Sequence, residues 1–363
     1  MKGNFIRITI IACLLCSCSE KKQGDLPEIP VDIHKNDLLS LQEIAEEITA
    51  IEFELTDESV FSPNYIQNIV ISENEVFIAG MQKIYVFSKE GKFIRTIGSK
   101  GQGPGEYLGI SRIALDEKNR RLFINSSPKI LSYDLTGNFL KEKQLSVNVV
   151  DINYINEELL LLINKEISGS KGICSHSAIW RLNDDLWIVD SCTIRDLSLE
   201  GLSGSTLSWS NDFILRGSES VYVYYGDFFF EFGVDNMLEK VLRDTLYRFE
   251  NNQLIPELKL QFKNDSKFIN LYSIYRSSRY IFAIYRNANS PGTTVYCFCY
   301  DTKTGKGYNM KNGYADDING IDKPVVIRPF NLDTEMFYYL HTNMKPSDLE
   351  EPNPTLYIGR LKK

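Results

Sequence analysis

Residues 84–97 read IYVFSKEGKFIRTI, and residues 130–143 read ILSYDLTGNFLKEK. Each stretch holds two apolar, strand-like runs around a four-residue turn that ends in glycine, Gly91 in the first and Gly137 in the second. Glycine can take the left-handed backbone conformation there, and the Ser88 or Asp134 side chain three positions earlier can hydrogen-bond the turn. The two glycines are 46 positions apart. That spacing falls within the ~40 to 50 residues typical of a four-stranded propeller blade.

The strands around both turns follow the same order. Two more apolar runs precede each hairpin: Ile69-Val70-Ile71 and Val76-Phe77-Ile78, then Ile113-Ala114-Leu115 and Leu122-Phe123-Ile124. Four looser units follow, and they cover residues 159–189, 213–252, 270–305 and 325–361. The third unit turns at Asn183-Asp184. The chain therefore predicts six repeats of one blade.

The sixth unit is one strand short, and an early segment can supply the missing strand. Ile51-Glu52-Phe53-Glu54-Leu55 alternates apolar and acidic residues, which is typical of a half-buried strand. Closing a ring with strands from both ends removes the exposed final edge. The sequence thus predicts an all-β fold, a six-bladed β-propeller with four-stranded antiparallel blades, whose last blade is closed by an N-terminal strand.

The first residues predict export. Lys2 and Arg7 make a basic start, residues 8–15 are largely apolar, and Ser17-Cys18 follow. A membrane-spanning helix needs about 20 apolar residues, so residues 1–17 are predicted to be a signal peptide. Leu15-Cys16-Ser17-Cys18 resembles the lipobox of bacterial lipoproteins, in which Cys18 would be acylated. The alternative is an ordinary secretory signal, which also exports the chain.

The segment after the signal peptide predicts a tether and then a helix. Residues 18–39 are polar, contain Pro27 and Pro30 and show no period, so they are expected to link the lipid to the fold. Ser40-Leu41-Gln42-Glu43 forms a capping box that predicts a short helix. The propeller domain is accordingly predicted to cover residues 40–363, with this helix at its start.

Composition narrows the function. The chain has 363 residues and 43% of them are hydrophobic, which argues against disorder, and its net charge is -8. That charge provides no basic surface for nucleic acid, so nucleic acid is not expected as a partner. The region after the signal holds four cysteines, too few for a disulfide-built scaffold: Cys174, Cys192, Cys297 and Cys299.

One cysteine pair is expected to form a disulfide. If two antiparallel strands turn near Asn183-Asp184, Cys174 and Cys192 lie opposite each other within one residue, and an exported compartment allows the bond. The alternative is a pair of free thiols, since a one-residue slip would turn the side chains to opposite faces. Cys297 and Cys299 share one face of a strand and are expected to be buried apolar residues.

A glycine-rich link carries a family resemblance. Residues 98–107, GSKGQGPGEY, followed by Ile113-Ala114-Leu115-Asp116, resemble the G-x-x-G-x-G-P-G-E-F/Y link of NHL-type propellers. With the lipobox, the Ser40 helix, Asp244-Thr245-Leu246-Tyr247 and Asn353-Pro354, the chain is similar to the six-bladed β-propeller lipoproteins of Gram-negative gut anaerobes. The resemblance implies fold and export, and that family has no generally assigned activity.

The same link supplies the candidate ligand face. A phosphate-binding loop leads from a strand into a helix, whereas this link leads into another strand and is predicted to connect two blades. Five of its residues are the candidate contacts, since loops on rigid scaffolds usually carry recognition: Gly103, Pro104, Gly105, Glu106 and Tyr107.

Two functions remain open. The first is a lipid-anchored binding or scaffold protein of the cell envelope, expected at the outer membrane, that meets an envelope protein or a glycan. The alternative is an NHL-like lyase or hydrolase with a channel-centred Ca²⁺ site. His34, His176 and His341 are the only histidines, and His34 lies in the predicted tether, so a three-histidine site is not expected. No catalytic residue or metal ligand is assigned, and no cofactor other than this Ca²⁺ is considered. Three or more convergent carboxylates in the channel would favour the enzyme.

Overall fold

The computed structural model describes residues 26–169, 172–200, 207–209, 213–216, 220–225, 228–232, 237–241, 243–262, 268–290, 292, 294–342 and 352–363. The predicted signal peptide, residues 1–17, and the lipidation site Cys18 lie outside the described residues. Within the described ranges, no helix is long and apolar enough to cross a bilayer.

The chain enters the fold through two strands and a short helix. These are β1 (Glu28–Val31), α1 (Leu41–Ile44) and β2 (Ala45–Glu52), followed by a 3-10 turn at Pro63–Tyr65. The first blade contains β3 (Ile66–Ile71), β4 (Glu75–Gly80), β5 (Ile84–Ser88) and β6 (Phe93–Ile97). A short parallel pair comes next, β7 (Ser99–Lys100) and β8 (Glu106–Tyr107).

The middle blades follow in chain order. The second contains β9 (Arg112–Asp116), β10 (Arg121–Ser126), β11 (Lys129–Asp134) and β12 (Phe139–Gln144). The third contains β13 (Asn148–Ile155), β14 (Glu158–Gly169), β15 (Gly172–Leu182) and β16 (Ile188–Glu200). The region of the fourth adds β17 (Leu207–Trp209), β18 (Phe213–Arg216), β19 (Val221–Tyr224), β20 (Phe228–Phe232), β21 (Met237–Val241), β22 (Thr245–Glu250) and β23 (Gln253–Phe262).

The last strands complete the ring. The fifth blade contains β24 (Ile269–Arg276), β25 (Tyr280–Asn287), β26 (Tyr296–Asp301) and β27 (Lys306–Lys311). The small pair β28 (Tyr314–Asp316) and β29 (Ile321–Val325) precedes the sixth blade, which contains β30 (Arg328–Asn331), β31 (Met336–His341) and β32 (Thr355–Leu361).

Sheet order confirms the predicted six-bladed β-propeller. Five blades carry their own four antiparallel strands, and in the fourth the order is β18-β19-β22-β23. The sixth has the order β30-β31-β32-β2, so its outermost strand comes from the N-terminal region. β17, β20 and β21 form a separate three-stranded sheet, and β20 and β21 lie between the second and third strands of the fourth blade in the sequence.

The two repeat turns have the predicted conformation. Gly91 has φ +83° and its N–H donates to the Ser88 carbonyl at 3.0 Å. Gly137 has φ +101° and its N–H donates to the Asp134 carbonyl at 3.1 Å. The 46-residue repeat therefore reflects two equivalent hairpins.

Ring closure is confirmed, although the closing strand starts earlier than predicted. β2 pairs with β32, and Ile51 lies opposite Leu356. The capping box is present, since Gln42 N–H donates to Ser40 Oγ at 3.0 Å and Ser40 N–H donates to Glu43 Oε1 at 3.2 Å. It caps a helix of only four residues, so residues 45–50, next to the predicted helix, already belong to the strand.

The predicted tether, residues 18–39, is wrong in its second half. β1 adds a parallel strand to the outer edge of the fourth blade, where Val31 lies opposite Phe262. Ile29, Val31 and Ile33 are buried in the core between the fourth and fifth blades. These three residues alternate with period two, and Pro30 is tolerated because an edge strand needs no donor on its open side. The folded domain therefore begins before residue 40.

The core lies between neighbouring blade faces. In the first interface Phe77 and Val86 of one blade pack with Ile113 and Leu131 of the next. These blade faces bury their apolar side chains against each other. The innermost strand of each blade therefore lines the centre of the ring.

Candidate functional site

A central cavity of ≈ 1010 Å³ runs between the blades. The innermost strand of every blade lines it, namely β3, β9, β13, β18, β24 and β30. A volume of this size is at the upper end of small-molecule pockets, which are ~300 to 1,000 Å³. The cavity is therefore the leading candidate site.

One position of each inner strand is equivalent around the ring. In every blade an inner-strand residue pairs with a fully buried residue of the second strand: Ile69–Ile78, Ile113–Ile124, Ile152–Leu161, Ile214–Val223, Ile274–Ala283 and Pro329–Phe337. The residue just before it lines the cavity. We call these six the ring residues: Asn68, Arg112, Asp151, Phe213, Ser273 and Arg328.

Three β-bulges precede ring residues. The register shifts between Ile66 and Asn68, between Val149 and Asp151, and between Leu271 and Ser273. A bulge inserts one residue and re-aims its neighbours, and bulges are frequent beside functional sites. Alternate blades thus share one distortion at the same level of the channel.

Asp151 is the only carboxylate among the ring residues. It is buried, its Oδ1 lies 3.5 Å from Arg112 Nε, and its Oδ2 accepts the Ile214 N–H at 2.9 Å. Burial raises its pKa to about 6, and the neighbouring Arg112 opposes that rise. Asp151 therefore links the second, third and fourth blades through one carboxylate.

The other carboxylates along the cavity are engaged. Asp116 accepts from Arg121 at 2.6 Å, Glu157 pairs with Lys118, and the Glu117 carboxylate accepts the Glu73 N–H at 2.7 Å. Each therefore already has a partner within the protein.

Two arginines at the cavity have no carboxylate partner among the described residues. Arg328 makes no ion pair, and Arg286 lies over the Tyr272 ring at 5.6 Å without one. Arg216, by contrast, pairs with Asp333 at 3.0 Å. Arg286 lies opposite Asn270 near the beginning of the inner strand β24, whereas Arg328 lies at the ring level of the sixth blade.

A buried hydroxyl and aromatic rings complete the lining. Ser273 is 4% exposed, and its Oγ has no partner at hydrogen-bonding geometry. Burial raises the pKa of Tyr275, while a side-chain interaction with Ser273 and the charges of Arg328 and Arg112 oppose that rise. The Tyr275 ring stacks on Phe213 with centroids 5.0 Å apart.

The described residues contain no group of three or more His, Cys, Asp or Glu side chains arranged to hold a metal ion. Of the three histidines, His176 Nδ1 meets Asp196 Oδ1 at 2.5 Å on the third blade and His341 lies on β31.

The predicted loop contacts form a self-bonded link between the first and second blades. Gly103 N–H donates to Glu106 Oε2 at 2.7 Å, and the buried Tyr107 donates its hydroxyl to the Ile97 carbonyl at 2.8 Å. Gly105 is buried with φ +73°, and its N–H donates to Glu142 at 3.0 Å. Pro104 is exposed. The link joins two blades as predicted, and the cavity lining does not include it.

The predicted disulfide between Cys174 and Cys192 is wrong. Cys174 lies opposite Ser198, and Cys192 lies opposite Ile179, so the cysteines are five positions apart along the ladder, or ~17 Å. A disulfide needs Cα atoms within ~7 Å, and both thiols are free. The turn is longer than the predicted Asn183-Asp184, and two bulges shift the register further. Cys297 and Cys299 are buried as predicted.

The comparison with protein families covers nearly the whole fold. The family model of DUF4934, a domain of unknown function, matches residues 26–356. The chain belongs to the DUF4934 family. The match begins at residue 26, which agrees with a folded DUF4934 domain that includes β1. No curated protein matches the chain.

A solved structure shows the same fold as this DUF4934 domain. The crystal structure of a “putative exported protein” from Bacteroides fragilis NCTC 9343 matches with TM-score 0.62 and 18% identity, over 93% of this chain and 99% of that chain. The Pan2 WD40 domain of Neurospora crassa matches with TM-score 0.41 and 11% identity, over 82% and 76%. At 18% identity the Bacteroides structure indicates a shared fold and nothing about function. The TM-score of the WD40 domain is too low to indicate even a shared fold.

Sequence analysis missed the ring residues of this DUF4934 domain. Their spacing along the chain is irregular, because hairpin lengths differ and the fourth blade has an insertion. A signal was present: a polar or bulky residue stands directly before an apolar one at the start of each inner strand, as in Arg112-Ile113 and Asp151-Ile152.

Proposed function

We propose that this protein is an exported lipoprotein of the cell envelope that works as a binding or scaffold module, and that its central channel receives part of an envelope protein or glycan. The observation that carries the proposal is the open cavity of ≈ 1010 Å³ at the centre of a rigid ring. Its wall presents unpaired polar groups beside aromatic rings, which suits recognition.

Binding is favoured over catalysis by the state of the carboxylates. General acid–base or metal chemistry needs carboxylates or histidines free to meet a substrate or an ion. The carboxylates along this cavity are held by arginines, a lysine or backbone amides. The Ca²⁺-dependent alternative has no comparable support in the described residues.

Export to the envelope is supported by two facts. The lipobox-like Leu15-Cys16-Ser17-Cys18 precedes the family match, and a protein of the same fold carries the description “putative exported protein”. Lipidation is tested by growing cells with labelled fatty acid. Label should enter the wild type and the Cys16→Ala variant but not Cys18→Ala, and label that persists in Cys18→Ala would contradict the anchor.

Channel binding is tested by plugging the cavity. The full chain, immobilised, is exposed to purified envelope polysaccharide and to envelope protein extract. Asn153→Trp places an indole at the cavity wall, and Gln144→Trp places the same group on an exposed outer strand as the matched control. Retention should fall at least tenfold in Asn153→Trp alone, provided its melting temperature is unchanged.

Two outcomes would overturn the proposal. Equal retention by both variants would place binding outside the channel. Chemical change of the retained material that requires Ca²⁺ would favour the lyase or hydrolase.

A further inference from the structure

The strongest chemical signal in the channel is positive charge without a partner. The protein carries a net charge of -8, yet Arg328 and Arg286 reach its central cavity with no carboxylate among the described residues to neutralise them. Both side chains are exposed to the water of the cavity, so neither pays a burial penalty that would demand an internal partner. Guanidinium groups in this state suit a ligand that brings its own negative charge, because the planar fork accepts a carboxylate in two parallel hydrogen bonds.

An independent observation points to the same place. Ser273 occupies the ring position of the fifth blade, next in the ring to Arg328 of the sixth. Its hydroxyl is buried without a hydrogen-bond partner. An unsatisfied buried hydroxyl costs free energy, and it is satisfied when a ligand oxygen arrives. Both residues line the same cavity at the ring positions of adjacent blades, so a ligand group beside Arg328 is also near Ser273.

The rest of the lining indicates the body of the ligand. Phe213 and Tyr275 stack as one aromatic wall, and Phe330 and Tyr338 also line the cavity. Asn68 Oδ1 accepts the Ile113 N–H and Asn153 Nδ2 donates to the Ile214 carbonyl, which leaves Asn68 Nδ2 and Asn153 Oδ1 to bond hydroxyl groups. A compact ring with one apolar face and several hydroxyl groups matches this combination of aromatic faces and amides.

We infer that the channel binds a carboxylate-bearing carbohydrate, whose acid group is held by Arg328 beside the Ser273 hydroxyl, while Arg286 adds positive charge to the same cavity. This inference rests on the proposed channel binding and names the chemistry of the ligand.

The experiment compares three probes by titration calorimetry on the full chain. A trimer of galacturonic acid should bind, the neutral galactose trimer of the same linkage should bind at least tenfold more weakly, and inorganic phosphate should not match the acidic trimer. Binding of the acidic trimer should weaken as salt rises, because the contact is between charges.

Variants assign the contact to residues. Arg328→Ala should weaken binding of the acidic trimer about 10- to 100-fold, consistent with the loss of a charge-assisted hydrogen bond, and Arg328→Lys should restore part of it. Ser273→Ala should weaken binding with little change in stability, because the Ser273 hydroxyl makes no hydrogen bond at ordinary geometry and interacts only weakly with Tyr275. Arg360→Ala, on an exposed outer position beside Glu47, is the control and should bind as the wild type.

The outcomes separate this inference from the proposed function. Equal binding of both trimers, or phosphate binding as tight as the acidic trimer, would overturn the inference. The inference would also be overturned if the acidic trimer did not bind while the protein still retained envelope material through its channel. In that case the proposed function would stand.

Discussion

Gly91 lies against Glu52 so closely that a β-carbon on Gly91 would stand 1.9 Å from the Glu52 carbonyl oxygen. Gly91 belongs to the turn of the first blade, and Glu52 ends the strand that closes the sixth. Around this contact Glu54 N–H donates to the Gly91 carbonyl at 2.8 Å, and Phe93 N–H donates to Glu54 Oε2 at 2.9 Å. The first and last blades are therefore joined through one turn.

Gly91→Ala should destabilise the protein more than Gly137→Ala. Both glycines have positive φ, so alanine costs about 1–3 kcal/mol of backbone strain at either site. At Gly137 the nearest atom to an added β-carbon is the Thr96 oxygen at 3.6 Å, an ordinary contact, whereas at Gly91 the Glu52 backbone must move. Urea unfolding measures the difference, and equal losses in the two variants would show that the turn does not join the blades.

Removal of β1 and removal of β2 should affect the stability and association of the protein differently. A chain that begins at residue 36 lacks β1 but keeps β2, so it should keep the oligomeric state of the full chain with a lower melting temperature. A chain that begins at residue 57 also lacks β2 and exposes the edge of β32, and an uncovered edge strand promotes association. Size-exclusion chromatography and thermal unfolding compare the two. If the shorter chain keeps the oligomeric state and the melting temperature of the longer one, β2 does not close the ring.

The strand errors made from sequence have a common cause. Period-two alternation predicts a half-buried strand, as at Ile51. Residues 45–50, by contrast, follow a capping box, and a capping box predicts a helix. β1 was missed because Pro27 and Pro30 indicate a linker, while the alternation of Ile29, Val31 and Ile33 is short. Local patterns do not reveal a parallel partner more than 200 residues away, such as Lys259 opposite Glu28.

The candidate site was less predictable than the fold. Turn glycines repeat because backbone geometry demands them, whereas the ring residues share a position and no residue type. The motif of the glycine-rich link predicted a ligand face. The hydrogen bonds of the link are largely internal, however, as in the contact between Gly103 and Glu106. A motif of glycines reports a backbone requirement, and in this chain that requirement is blade connection.

The cysteines should differ sharply in reactivity. Cys174 is exposed, whereas Cys297 and Cys299 are buried, and burial raises the pKa of the Cys297 thiol to about 12 and that of Cys299 further. Since the thiolate is the nucleophile, iodoacetamide at pH 8 should modify Cys174 in the folded protein and reach the other two only in urea. Peptide mass mapping reads each site separately. A linked Cys174–Cys192 peptide, or labelling of Cys297 as fast as Cys174, would contradict the structure.

Asp151 should make stability depend on pH in an unusual direction. Its pKa is raised from 3.8 to about 6 in the folded protein, chiefly by burial. The folded state therefore holds the proton more tightly than the unfolded state, so the resulting stabilisation is fully present below pH 3.8 and is lost as pH rises through 6. A shift of this size corresponds to about 3 kcal/mol. Most carboxylates act the other way, as Asp301 does, because Arg279 lowers its pKa to about 2.

The test compares wild type with Asp151→Asn, which keeps an oxygen to accept the Ile214 N–H but cannot titrate. The free energy of unfolding of the wild type minus that of Asp151→Asn should rise by up to about 3 kcal/mol between pH 7 and pH 4. Groups that titrate in both proteins cancel in this difference, and Asp301 loses its effect only below pH 4. In Arg112→Gln the rise should begin at higher pH, because Arg112 is the charge that opposes protonation of Asp151. A difference that stays constant from pH 7 to pH 4 would show that folding does not raise the pKa of Asp151.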